Sequence, residues 1–236
     1  MDTSLILKEA VQVLRDGGVI LYPTDTVWGI GCDATNPEAV AKVFAIKHRA
    51  DSKALVLLAS DLDMVARFVR EIPSMAIDLV EVNDVPMTLI YPGAIAGKAP
   101  VTDPFVAGAP QDDKSVIPND TLVIPSDTLV IPSVAKESIN HRQLAYNVVA
   151  EDGSVGIRIP MAEFCRQLAF KLGRPLVSTS ANISGEPTPQ RFTDIPDAIK
   201  SACDYVCPPK TDTESTGKAS QIIKIGLDGE VEIIRK

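Results

Sequence analysis

Apolar residues recur at helical spacing over residues 4–15, among them Leu5, Ile6, Val13 and Leu14, and then give way to a β-type run, Gly18-Val19-Ile20-Leu21. That change of period predicts an amphipathic opening helix, with Thr3 or Ser4 as cap and Gly17-Gly18 as stop, followed by a strand. Asn36-Pro37-Glu38 starts a second helix: Asn caps, Pro takes the first helical position, and Glu meets the positive end of the dipole. It runs to about Lys47. Further helices are predicted over Asp61 to Arg70, Pro73 to Val82 and 161–172, the last stopped by Gly173. Ala54 to Leu58, Met87 to Tyr91, 154–159 and 175–178 read as short apolar strands. Ser220 to Ile225 and Glu230 to Ile234, around Asp228-Gly229, carry the period and turn of a β-hairpin. Helices alternating with such strands predict an α/β fold, a twisted, largely buried mixed sheet with flanking helices.

Residues 101–146 break the pattern. They are rich in Pro, Asp and Ser and hold a seven-residue repeat, Ile117-Pro118-Asn119-Asp120-Thr121-Leu122-Val123 followed by Ile124-Pro125-Ser126-Asp127-Thr128-Leu129-Val130. Proline at that interval keeps any strand short and off a central ladder position. The segment reads as an insertion in a surface loop of one domain spanning residues 1–236, since loops accept insertions at modest entropic cost.

The chain of 236 residues is long enough for a full core, and 45% hydrophobic residues agree with a globular protein. A formal charge of −8 argues against coating nucleic acid nonspecifically and favours a small anionic ligand over a duplex. No leader pattern and no apolar stretch near ~20 residues is present, so a soluble cytoplasmic protein is expected, with no membrane partner. Cys32, Cys165, Cys203 and Cys207 fit reduced thiols rather than a disulfide framework. With only His48 and His141 beside them, a zinc site is not expected.

Candidate chemistry gathers in loops that leave strands. Tyr22-Pro23-Thr24-Asp25-Thr26-Val27-Trp28-Gly29-Ile30-Gly31 places small polar side chains and two glycines behind the first strand, where hydroxyls can bond a ligand and glycine lets the main chain approach something bulky. The same residues could equally satisfy their own backbone. Lys47-His48-Arg49 and Lys53 put three cations within seven residues at a helix end. They suit phosphates, or else form a solvated basic turn. Ser178, Thr179, Ser180 and Asn182 repeat the strand-then-hydroxyl design, and Arg158 stands on the preceding strand.

These segments in this order, with Gly156-Ile157-Arg158-Ile159-Pro160 between the second and third, resemble the Sua5/YrdC/YciO family of threonylcarbamoyladenylate synthases, over roughly residues 4–100 and 147–225. The resemblance implies the YrdC-like fold and the reaction of L-threonine, bicarbonate and ATP to threonylcarbamoyl-AMP and pyrophosphate, toward the t6A modification of transfer RNA, with Mg2+ accompanying the ATP. It implies Lys47 and Arg49 as catalytic cations, and Thr24, Thr26, Lys53, Arg158, Ser178 and Ser180 around the substrate. Lys47, Arg49, Ser180, Asn182 and Ser220 then fall at the nucleotide. A short YrdC-type chain also implies separate transferase proteins as partners. Trp28 stands where the family has Tyr, which keeps an aromatic wall beside the substrate and loses the phenol hydroxyl, and Ala54 replaces a proline. Two rivals stay open: a module binding double-stranded RNA or tRNA, and a nucleotide-binding paralog without the activity.

Overall fold

The computed structural model describes residues 2–48, 55–99 and 142–236. In chain order these form α1 (Thr3–Arg15), β1 (Ile20–Tyr22), β2 (Gly29–Gly31), α2 (Pro37–Ile46), β3 (Val56–Leu58), α3 (Leu62–Ala66), α4 (Ser74–Val82), β4 (Met87–Tyr91), β5 (Val155–Arg158), α5 (Glu163–Leu172), β6 (Leu176–Ser180), α6 (Asp197–Ala202), β7 (Tyr205–Val206), β8 (Gln221–Ile225) and β9 (Val231–Arg235). The α/β expectation holds.

Local chemistry sets most boundaries. Asn36 accepts from the N–H groups of Glu38 and Ala39 at 3.0 and 3.1 Å and caps α2 as expected. Gly173 ends α5 in the left-handed region at φ 78°. The opening helix is capped one residue before Thr3, by Asp2, whose side chain accepts from Ser4 N at 3.4 Å. The helix expected over Asp61 to Arg70 stops at Ala66, because the chain beyond it turns to pair with 93–95: Ile95 N donates to Phe68 O at 2.8 Å and Arg70 N to Gly93 O at 2.9 Å. Backbone partners offered from afar outbid the last turn of a short helix.

Among the described residues nine strands join in one mixed sheet, in the order β7, β1, β2, β6, β3, β5, β4, β8, β9. Strand β6 lies inside it, antiparallel to both β2 and β3, with Ser180 opposite Gly29 and Ser178 opposite Val56. Gly31 is glycine for the sheet's own sake. A Cβ there would lie 2.3 Å from the Val177 carbonyl oxygen and 2.7 Å from the Tyr22 ring. The close approach read from the sequence is therefore protein on protein at this position. At the other end β9 is an edge strand whose residues are all exposed, and Arg235 is its last residue.

Residues 142–146, counted above with the insertion, pack into the domain. Leu144 is 1% exposed, its N–H donates to Ile95 O and its carbonyl accepts from Gly97 N, both at 2.8 Å, while Ala145 N donates to Ala34 O at 2.8 Å. The compact unit comprises Met1–Lys98 and Asn140–Lys236. The proline repeat lies outside the described residues. Leu144→Ala should lower stability by about 2–5 kcal/mol, the cost of a large-to-small change in a core. Urea unfolding of the variant measures it, and a loss near zero would return 142–146 to the insertion.

Candidate functional site

Side chains alternate across a sheet, so register tells which residues share a face. Val56 lies opposite both Gly156 and Ser178, and Gly156 opposite Ile90. Stepping by two puts Ser178 and Ser180 of β6, Arg158 of β5 and Thr88 of β4 on one side. Gly29, opposite Ser180, faces the same way, and a Cβ there would come within 3.4 Å of Ser178 Oγ and 3.5 Å of Thr24 Cγ2. The missing side chain at Gly29 thus brings the first loop over the hydroxyl-bearing strand.

The loop after β1 is a hydrogen-bonded relay. Thr24 Oγ1 donates to Val27 O at 2.7 Å, and it accepts from the N–H groups of Thr26 and Val27 at 3.1 and 3.3 Å. Its single proton being spent on Val27, the 2.8 Å contact between the two threonine hydroxyls is a bond from Thr26 to Thr24. Arg158 Nη1 then donates to Thr26 Oγ1 at 3.2 Å. Arg158 is only 4% exposed, and its Nε–H has no hydrogen-bond partner among the described residues. A buried donor of that kind is costly unless something accepts from it.

A polar run the sequence reading passed over, residues 211–217, holds this loop by its main chain. Thr216 donates to Asp25 O through Oγ1 at 2.9 Å and through its N–H at 3.2 Å, and Thr26 O accepts from Ser215 Oγ at 2.9 Å and Gly217 N at 2.7 Å. Trp28 is buried, not an open aromatic wall: its Nε1 donates to Asp212 Oδ2 at 2.7 Å and its ring centroid lies 4.9 Å from that of Phe192. The signal for the strap was its density of short hydroxyl and carboxylate side chains beside a glycine, Thr211-Asp212-Thr213-Glu214-Ser215-Thr216-Gly217.

Lys47 ends α2 pointing at the loop after β6. Its ammonium donates to Ser180 O at 2.6 Å, Asn182 O at 2.7 Å and Asn182 Oδ1 at 3.3 Å, and the residue is 3% exposed. Ser180 Oγ donates to Asn182 Oδ1 at 2.5 Å, and Asn182 Nδ2 donates to Glu186 O at 2.6 Å. Lys47, Ser180 and Asn182 are therefore one bonded unit. Arg49 and Lys53 lie outside the described residues.

Ser220, just before β8, shares a 2.8 Å hydroxyl contact with Thr88. Arg235, which sequence reading missed, donates to Ser220 O through Nε at 2.8 Å and to Ser220 Oγ through Nη2 at 3.3 Å. Desolvation, and then the charge of Arg158, push the Arg235 guanidinium below its ordinary pKa. Register places Arg158, Thr88 and Arg235 in one row across β5, β4, β8 and β9, so two guanidinium groups flank the hydroxyls of Thr88 and Ser220, a combination that suits an anion. The buried thiol of Cys165, donating to Pro23 O at 3.2 Å, is raised by burial and then by the Asp25 charge, which leaves it a packing group. A cavity of about 250 Å³ lined by Met87, Leu89, Tyr91, Ile157 and Ile159 opens on the other face of the sheet from Arg158. Among the described residues no helix is long and apolar enough to cross a membrane.

Comparison with known proteins places these elements. The Sua5_yciO_yrdC family model, described as telomere recombination, matches residues 12–109 and 126–236, so the stretch it leaves out is narrower than the 101–146 read from composition. The threonylcarbamoyl-AMP synthase of Stenotrophomonas maltophilia is 30% identical over 231 residues, covering 96% of this chain and 97% of that one. P. abyssi Sua5 complexed with L-threonine has the same fold, with a TM-score of 0.68 at 19% identity, over 95% of this chain and 52% of that one. This chain thus spans about half the length of that structure. E. coli YciO shares the fold with a TM-score of 0.64 at 19% identity, over 100% and 90%. With both halves matched by the family model and a synthase aligned nearly end to end, the chain belongs to the Sua5/YciO/YrdC family.

Proposed function

We propose that this protein is an L-threonylcarbamoyladenylate synthase, an ATP-using nucleotidyltransferase acting in the cytoplasm on the route to t6A in transfer RNA and handing its product to separate transferase proteins. The observation that carries the reading is the near end-to-end relationship to a threonylcarbamoyl-AMP synthase at 30% identity. The site supplies chemistry that fits it. Bicarbonate gives carbon dioxide and hydroxide, the threonine amine captures the carbon dioxide as a carbamate while its released proton turns the hydroxide to water, a carbamate oxygen attacks the α-phosphate of ATP, and pyrophosphate leaves. No protein nucleophile is consumed, so the protein's work is to hold two anions together and keep water off the product.

In this reading Arg158 takes the threonine carboxylate on its unpaired Nε edge, because that edge is buried and already charged. Thr26 Oγ1 keeps a lone pair for the substrate hydroxyl once its proton is given to Thr24, and Thr24 and Ser178 close the pocket over Gly29. Ser180, Asn182, Ser220 and Arg235 line the nucleotide, with Arg49 and Lys53 bringing further charge to the phosphates. Lys47 acts through the loop it ties, since its donors already serve that loop's oxygens. Mg2+ would neutralise the triphosphate. Phosphate oxygens and water are the ligands Mg2+ takes beside a nucleotide.

Pyrophosphate release in the presence of bicarbonate tests the activity, with threonine, serine and valine compared at equal concentration. Threonine should be preferred, serine the milder failure because one methyl is worth only about 1–3 kcal/mol, and valine the worse because it leaves polar groups of the site unpaired. Release that depends on no amino acid would reject the reading.

Lys47 and Arg49 should separate under mutation. Arg49→Ala should weaken ATP binding by about 1.5–3 kcal/mol, the worth of a charge-assisted bond, at unchanged melting temperature. Lys47→Met should lower the melting temperature as well, because it strands the carbonyls of Ser180 and Asn182. Calorimetric titration with ATP and a thermal melt of each variant decide, and equal melting behaviour would deny Lys47 its structural share.

A further inference from the structure

We infer that Asp25 is the positioning residue for Arg158, the buried counter-charge that fixes which edge of the guanidinium is presented to the substrate. The inference rests on the proposed role of Arg158 and adds to it a residue that contacts no substrate in that reading. Asp25 is 2% exposed, as deeply buried as its partner. Its Oδ2 accepts from Met161 N at 3.0 Å, and its Oδ1 faces Arg158 Nη2 at 3.3 Å as an ion pair. Among the described residues that Oδ1 accepts no hydrogen bond.

The contact is long for a charge-assisted bond, and it is single where arginine and a carboxylate can make two. A two-pronged pairing would use both the donors and the charge of Arg158. The geometry here does less. Asp25 meets Nη2, Thr26 meets Nη1, and Nε is left over with nothing among the described residues to accept from it. The guanidinium is thus gripped along its terminal nitrogens and open along its inner edge. Asp25 cannot shift to improve the pairing, because one carboxylate oxygen is held by Met161 and its carbonyl is held twice by Thr216.

The second reason is charge. Arg158 sits close enough to Arg235 for its charge to reach that guanidinium. A buried cation facing an exposed one with no counter-charge of its own is repelled, and Arg158 would turn away from the pocket or draw in an indiscriminate anion. Asp25 offsets one of them from behind, so the site keeps a net attraction for an anion without losing its shape.

The test is Asp25→Asn, which keeps size and removes charge, beside Asp25→Glu, which keeps charge and moves the carboxyl by a methylene. In pyrophosphate release, Asp25→Asn should raise KM for threonine on the order of 10- to 100-fold, the cost of a misplaced contact. KM for ATP should change far less, and Asp25→Glu should recover part of the loss. A residue that only held the fold would reduce the active fraction and leave both KM values alone. An independent reading comes from the 1H–15N signal of the Arg158 Nε–H group, assigned by its loss in Arg158→Lys. It should be protected from solvent exchange in the wild type and exchange faster in Asp25→Asn. Unchanged threonine KM together with an unchanged Arg158 signal would overturn the inference. If Asp25→Asn does not fold, Asp25→Glu alone decides, since wild-type threonine KM and Arg158 exchange in it would equally overturn the inference. Should the wild type release no threonine-dependent pyrophosphate, the proposed function fails, and the exchange measurement still judges Asp25.

Discussion

A buried ammonium holds the middle of this molecule together. Strand β6 runs inside the sheet yet ends in Ser178-Thr179-Ser180, and its polar exit would be poorly tolerated there without partners. Lys47 supplies them, binding the carbonyls of Ser180 and Asn182. The tie is reciprocal: the main chain of Lys47 accepts from Ser184 N at 3.0 Å, so helix end and loop brace each other in both directions. Taking a lysine out of water costs several kcal/mol, and only oxygens placed this closely offset it. The second helix, the central strand and the hydroxyl loop are therefore one mechanical piece, and the site's geometry follows from it.

Much of this was legible from the chain. Wherever a feature depends on neighbours in sequence, the residues announce it: Asn36-Pro37 opens α2, Gly173 closes α5, and Asp228-Gly229 turns the final hairpin with Gly229 at φ 82°. The strand over Met87 to Tyr91 has the bounds its apolar run suggested. Features that depend on distant partners were hidden. The early stop of α3 reflects pairing with 93–95, and the burial of Leu144 reflects contacts with Ile95 and Gly97, which a Pro- and Ser-rich composition gives no way to foresee.

The site shows the same division. Thr24, Thr26, Arg158, Ser178, Ser180 and Asn182 stood out in loops and strands, Ser220 was named through the family resemblance, and register brings several of them to one face. What sequence could not convey is how donors and acceptors are apportioned among them. Lys47 looks like a phosphate ligand and proves to be bonded to the loop, Trp28 looks like a pocket wall and is packed on Phe192, and Arg235 looks like a charged chain end and reaches Ser220. The bond from Lys47 to Ser180 spans 133 positions and the one from Arg235 to Ser220 spans 15 across the final hairpin, and neither is visible in the local run of residues.

The strap of 211–217 grips the first loop through the carbonyl oxygens of Asp25 and Thr26, and a carbonyl belongs to every residue alike. This part of the loop's anchorage therefore uses groups that any residue would supply, while the Asp25 and Thr26 side chains are engaged with Met161, Thr24 and Arg158. A change at position 25 or 26 thus leaves the strap's grip on the two carbonyls in place and is felt at Arg158 instead, so the loop separates what holds it from what it positions.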